Sequence, residues 1–219
     1  MKKTALLISA LALTVCFAGC RRVEKIPEAG YMDNSFSDNA EQESTTTEVK
    51  DAAADFSYES TGSSITITGY VGTDNDVIVP DTIEGLTVAR IGQYAFNDNT
   101  TITSVKLPDS ITLIGECAFM DCENITSINI PQSLECVDSG AFANCFSLSG
   151  ELTFPETVQY IHENAFVACN SLSAITLLNP DIEYESWGLE ELANITIKAS
   201  LESNVEKWAG EMGKFSALE

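Results

Sequence analysis

The sequence predicts an α/β repeat fold: a right-handed, β-dominated solenoid with a β-hairpin cap in front and a helix cap behind. Two observations carry that expectation. The dipeptide Ala-Phe occurs at 95–96, 118–119, 141–142 and 165–166, spaced by 23, 23 and 24 residues. Each is followed by the string apolar-x-x-apolar-x-apolar: Ile102/Val105/Leu107, Ile125/Ile128/Ile130, Leu148/Leu152/Phe154 (with one inserted residue) and Leu172/Ile175/Leu177. A fixed period of this size means stacked units, because one unit cannot bury its own Phe and aliphatic set whereas a stack can.

Ahead of the repeats, residues 1–19 read as a lipoprotein signal peptide. Lys2 and Lys3 precede an apolar run from Ala5 to Phe17 that is too short to span a bilayer comfortably. Phe17-Ala18-Gly19-Cys20 resembles a bacterial lipobox, with Phe17 in place of the usual Leu, so Cys20 is the expected lipidation site. More than one acyl chain on that residue would give stable anchoring. Residues 20–55 carry nine acids against four bases and few β-branched apolar residues. Too little apolar surface is present to offset ordering entropy, which predicts a disordered tether. Residues 56–219 are one domain's worth of chain.

Within that domain, FSYESTGSSITITGYVG alternates Ile65, Ile67 and Tyr70 with polar residues and is broken by glycines, the mark of a β-hairpin. VIVPDTIEGLTVARIG enters the array with about five extra residues around Glu84-Gly85. In each repeat the last two apolar positions alternate with polar ones, as in a strand buried on one face. Pro108, Pro131 and Pro155 then stop the strand. A single short parallel sheet is expected, beside a column formed by Phe96, Phe119, Phe142 and Phe166. The extra residue of the third unit falls at Ser149-Gly150. Leu192/Ile195/Ile197 mark a fifth, degenerate unit in which Trp187 or Leu189 replaces the Ala-Phe turn. Val205, Trp208, Ala209 and Met212 then fall on one helical face, with Ser203 and Glu206 spaced as a capping box and Gly213 as a stop. Phe215 to Leu218 is a candidate last edge strand.

The string IG-x-x-AF-x-x-C-x-x-I-T-S-I-x-I-P at Ile114 to Pro131, with its three relatives, resembles the BspA-like leucine-rich repeat family of bacterial surface proteins. The likeness covers roughly Ser57 to Leu218. It implies a leucine-rich-repeat solenoid, export, and a role in surface binding or adhesion, with no catalytic residue set and no named ligand.

The chain has 33 acidic and 11 basic side chains, a net charge of -22, one His and seven Cys. Such acidity argues against nucleic acid and against electrostatic docking on an anionic membrane. Cys122, Cys145 and Cys169 share one column, with Asn99 in the first unit, and suit small buried side chains better than a bridge or a metal. Cys117 and Cys136 stand outside it; their varied equivalents suggest partial exposure, and a bridge between them stays open. His162 occupies a surface turn column without a nucleophilic partner. GTDND at Gly72 to Asp76 lacks the Gly and distal Glu of an EF-hand and reads as a hairpin turn. No metal, cofactor or catalytic residue is expected.

What remains is surface. Ser104, Lys106, Ser127, Asn129, Glu151, Thr153, Ala174, Thr176, Thr196 and Lys198 should point away from the core and form a small, polar concave row. Without aromatic rings it favours an extracellular protein or host matrix component as partner over a glycan. The expected protein is therefore a non-catalytic, lipid-anchored interaction module on the outside of a bacterial cell. A glycan-binding accessory lipoprotein of an uptake system is the second reading.

Overall fold

The computed structural model describes residues 52–183 and 185–218; the expected signal peptide, Cys20 and the tether up to residue 51 lie outside them. A short 3-10 turn, Ala52–Asp55, leads into β1 (Phe56–Ser60) and β2 (Ser64–Tyr70), which pair antiparallel as the front cap. The strands that follow are β3 (Asp76–Ile78), β4 (Thr82–Ile83), β5 (Leu86–Ile91), β6 (Ser104–Lys106), β7 (Leu113–Ile114), β8 (Ser127–Ile128), β9 (Cys136–Val137), β10 (Gly150–Phe154), β11 (Tyr160–Ile161), β12 (Leu172–Leu177) and β13 (Thr196–Ala199). Helix α1 (Asn204–Glu211) and β14 (Phe215–Ala217) close the far end.

Strand pairing differs from the single parallel sheet expected. The repeat strands form two ladders, β3-β6-β8 and β10-β12-β13-β14, and a second face of each coil forms a further ladder through β2, β5, β7, β9 and β11. The extended runs SITLIG, SLECVD and TVQYIH that lead into the later Ala-Phe pairs carry β7, β9 and β11 and are therefore strands in their own right. The break on the repeat-strand face falls at the inserted residue. Gly150 sits at φ 83°, and the β10–β12 register shifts between Gly150 and Glu151. On the other side of the break, the Asn129 side chain bonds the backbone of the preceding coil, accepting from Leu107 N–H at 2.7 Å and donating to its carbonyl at 2.9 Å.

The extra residues of the entry unit also have a structural form. Glu84 (φ 54°) and Gly85 (φ 78°) make a two-residue turn joining β4 antiparallel to β5. Positive φ at both turn positions matches the right-handed twist of the flanking strands. GTDND, by contrast, is not a hairpin turn: it connects β2 to β3, which belong to different sheets.

The Ala-Phe turns supply a third line of bonds between coils. Tyr94, Phe96 and Asp98 donate their N–H groups to Glu116, Ala118 and Met120 of the next coil at 2.8–3.0 Å, and the pattern repeats one coil on. The donors on either side of Phe96, Phe119 and Phe142 are left-handed residues. Tyr94, Cys117, Gly140 and Asn164 take φ 51–64°, and Asp98, Asp121, Asn144 and Ala168 take φ 57–61°. Asn, Asp and Gly tolerate this region best, which is why that column looks chemically varied while its backbone is constant.

Inside, the rings of Phe96, Phe119, Phe142 and Phe166 stack with centroids 4.8–5.5 Å apart and planes within 13°. Tyr70 extends the column from the cap, 5.7 Å from Phe96, and Phe56 packs against both. At the far end the Phe166 N–H donates to the Trp187 carbonyl, a bond that elsewhere is accepted by the Ala of the next coil's Ala-Phe pair. Gly188 then stands where the next Phe would be. Its φ is 83°, and a Cβ there would lie 2.6 Å from Val167 Cα. The Trp187 indole beside it is fully buried and donates to the Ile161 carbonyl at 2.6 Å.

Helix α1 buries Val205 and Ala209, and Trp208 packs edge-on against Trp187 at 5.0 Å. Its capping differs in detail from a capping box: the Ser203 side chain makes no cap bond, and Glu206 accepts from Glu202 N–H instead. The stop is a Schellman motif, with Gly213 donating to Gly210 and Lys214 to Ala209, both at 2.9 Å.

Candidate functional site

Each of the three column thiols is a buried donor. Cys122, Cys145 and Cys169 donate through Sγ to the carbonyls of Phe96, Phe119 and Phe142 in the preceding coil, at 3.0–3.2 Å. They point along the stack at backbone, not at each other, and no disulfide joins any of Cys117, Cys122, Cys136, Cys145 and Cys169. Burial pushes the Cys122 and Cys169 thiols up to about 12, and Cys145 further. Such thiols are poor nucleophiles. Cys117 is buried rather than partly exposed; its Sγ packs where the next coil has Gly140, at which a Cβ would lie 3.2 Å away. Cys136 is half-buried, and burial raises its thiol to about 11.

His162 stacks beside Tyr160 and lies 3.4 Å from the Glu185 carboxylate, on the outer surface of the β11 coil. Among the described residues no group of three or more His, Cys, Asp or Glu side chains is placed to hold a metal ion.

The concave row divides at the break between β8 and β10. On the first half, Lys106, Ser127 and Asn129 are exposed and Ser104 is half-buried. They line an open groove of about 880 Å³ together with Asp76 and Ile78. Its polar groups are arranged by neighbours: the Ser104 hydroxyl donates to Asp76 Oδ1 at 2.6 Å, and Thr103 Oγ1 donates to the same oxygen at 3.2 Å. Asp81 and Asp109 stand at the rim. Asn129 is committed to Leu107 as described above, so it shapes the groove floor with its amide already engaged.

On the second half the row is covered. Lys198 Nζ reaches Glu151 Oε2 at 2.7 Å, from β13 across β12 to β10, and the Thr176 hydroxyl donates to Glu151 Oε1. Thr176, expected to face solvent, is only 5% exposed, and Ala174 only 6%. The cause is geometric: the long side chains of the flanking strands meet over the middle strand. The Lys198 ammonium and the Thr176 hydroxyl hold the Glu151 carboxyl below its ordinary range. Thr153 is exposed and Thr196 half-buried at the margins of this cover.

Asp76, Ile78, Asp81 and Asp109 are groove residues that the outward row omitted. VIVP at Val77–Pro80 is the signal that finds the first two, since it repeats the strand-then-proline ending of the later units. Counted as the first coil's strand, it puts Asp76 and Ile78 in the same outward row as Ser104 and Lys106, and the pairing of β3 with β6 does so in the fold.

A coil stack with one open, polar strand face and no catalytic constellation among its described residues defines a repeat-scaffold protein. The chain belongs to the BspA-type leucine-rich repeat family, whose model matches residues 87–209 in six copies. That is one more than the roughly five units read from the Ala-Phe period. A T. pallidum leucine-rich repeat protein is similar at 31% identity over 67% of this chain and 70% of its own, with a TM-score of 0.61. One from Bacteroides capillosus is 27% identical over 56% of this chain and 94% of its own, TM-score 0.51. A Faecalibacterium prausnitzii leucine-rich cell surface protein shares the fold at 23% identity, over 65% of this chain and 41% of its own, TM-score 0.53. No curated protein matches the chain.

Proposed function

We propose that the protein is a surface interaction module, lipid-anchored through Cys20, that binds a protein partner in the groove over β3, β6 and β8. The observation that carries this reading is the contrast between the two halves of the concave face. One is an open groove of about 880 Å³ with exposed Lys106 and Ser127, and the other is bridged by its own side chains. Its floor offers hydroxyls, amides and charges without rings for sugar stacking, which favours a protein ligand over a glycan. Family membership and the relative described as a cell surface protein are consistent with this role.

A photo-crosslinking amino acid placed at Ser127 tests the reading against the same group at Thr196. Protein adducts confined to Ser127 on exposure to extracellular proteins are expected. Equal labelling at both sites, or only carbohydrate adducts, would overturn it. For the anchor, Cys20→Ala should release the chain into the medium, and retention on membranes would refute lipidation.

A further inference from the structure

The groove is bounded on one side by β3, and the backbone of that strand is half used. Asn75 accepts from Ser104 N–H, and Val79 donates to the Lys106 carbonyl. By the two-residue alternation of a strand, Val77 also faces β6, so the backbone groups of Asp76 and Ile78 point the other way. Among the described residues no strand pairs with that outer edge. Edge strands are ordinarily blunted by Lys, Pro or a covering element. Here the exposed edge residues are Asp76 and Ile78, the latter 66% exposed, with Val71 nearby in sequence at 67%.

Two recesses adjoin at this strand. The large groove opens on the side of Asp76 and Ile78. A smaller recess of about 170 Å³ is lined by Asp55, Phe56, Tyr70, Asp74 and Val77, and shares Asp76 and Ile78 with the groove. We infer that a partner docks by adding an extended strand to the free edge of β3, a strand in which apolar residues alternate with Lys or Arg. The alternation follows from the two sides of β3. A residue placed beside Val77 points inward, into the recess over Phe56 and Tyr70, and must be apolar. A residue placed beside Asp76 points into the groove, where Asp76 and Asp81 select a cation. Main-chain bonds to Asp76 and Ile78 supply the pairing, and the alternating pockets supply selectivity. A second copy of the chain is the weaker occupant, since its net charge of -22 opposes self-association.

The inference rests on the reading of the groove as a protein-binding site and specifies how that site is used. Its test uses the full chain and the blocked peptide Ac-Lys-Val-Lys-Val-Lys-Val-Lys-amide, followed by calorimetric titration. Binding should weaken at least tenfold when alternate peptide nitrogens are methylated, and at least tenfold when the lysines become glutamates. Ile78→Pro removes an edge N–H that β6 does not use and should likewise weaken binding tenfold. Ile78→Lys, which puts a like charge on the edge, should do the same if the proline variant fails to fold. A methylated peptide that binds within twofold of the parent would overturn strand addition, as would an unbound parent peptide. So would a concentration-dependent dimer abolished by Ile78→Lys, which would assign the edge to a second copy. Protein adducts at Ser127 that persist in the Ile78 variants would remove the strand and leave the groove; loss of adducts from the unaltered chain would remove the groove itself.

Discussion

The two halves of the concave face are built from the same repeat and end in opposite states. Coils of β3, β6 and β8 carry Lys106 on their outer row, but among the described residues no ion pair closes over it, so the face stays open as a groove. Coils of β10, β12 and β13 place Glu151 and Lys198 two strands apart, and the pair closes over Thr176. Between them lies the inserted Gly150, which ends one ladder and begins the next. A one-residue change of period and two long charged side chains thus partition a continuous scaffold into an available surface and an occupied one. The ring column, in contrast, runs through both halves without interruption.

That contrast can be broken at several levels. The largest effect should come from the shared element: Phe142→Ala opens a cavity in the centre of the column and should cost about 3–5 kcal/mol by chemical denaturation. A loss below about 1 kcal/mol would mean the halves do not depend on a common core. Next come two glycines with the same φ of 83° and different surroundings. Gly188→Ala drives a Cβ into Val167 backbone and should cost about 3 kcal/mol or more. Gly150→Ala meets nothing within 4 Å and should cost only about 1–2 kcal/mol for the left-handed backbone. Equal losses would show that the close approach at Gly188 is absent.

The thiol column gives a pH dependence. Cys122 and Cys169 are raised by burial to about 12, against an ordinary thiol near 8.5. Their stabilisation is complete below the unfolded value and is lost as pH rises toward the folded one. Urea midpoints should therefore fall progressively above about pH 8.5, and alanine at both positions should flatten that fall. The smallest effect belongs to the exposed bridge. Glu151→Gln should change stability by less than about 1 kcal/mol, as exposed pairs do, while uncovering Thr176 to hydroxyl footprinting. Because the Glu151 carboxyl is held below its ordinary range, the bridge stabilises above that range and is lost as pH falls through its lowered folded value. No change in footprint would mean that the cover does not depend on the Glu151 charge.

Much of the architecture was legible in the residues. The Ala-Phe period, the strand strings, the hairpin and the amphipathic stretch at Val205 to Met212 each follow local rules of alternation and helical spacing, and the fold has all four. The extended runs before each Ala-Phe were legible, but their pairing into a second ladder was not, since β7, β9 and β11 are only two residues long and their partners lie a coil away. The left-handed column at Tyr94, Cys117, Gly140 and Asn164 was hidden because its residues share no side-chain type; their common property is a backbone angle. Four of the ten outward residues, Ser104, Lys106, Ser127 and Asn129, lie on the open groove, whereas Thr176 is covered, since no local pattern tells that Glu151 and Lys198 will meet above it. Asp76 and Ile78 were within reach through the VIVP echo of the later strands.

By itself the sequence determined the repeat, its direction of burial and the elements that cap it, because period and polarity act within a single coil. Only the tertiary structure decided where the sheet breaks, which outward residues stay exposed, and that the cysteines bond to Phe carbonyls one coil away. Those outcomes depend on groups some 20 to 50 residues apart, brought together by stacking, and no single coil contains both partners.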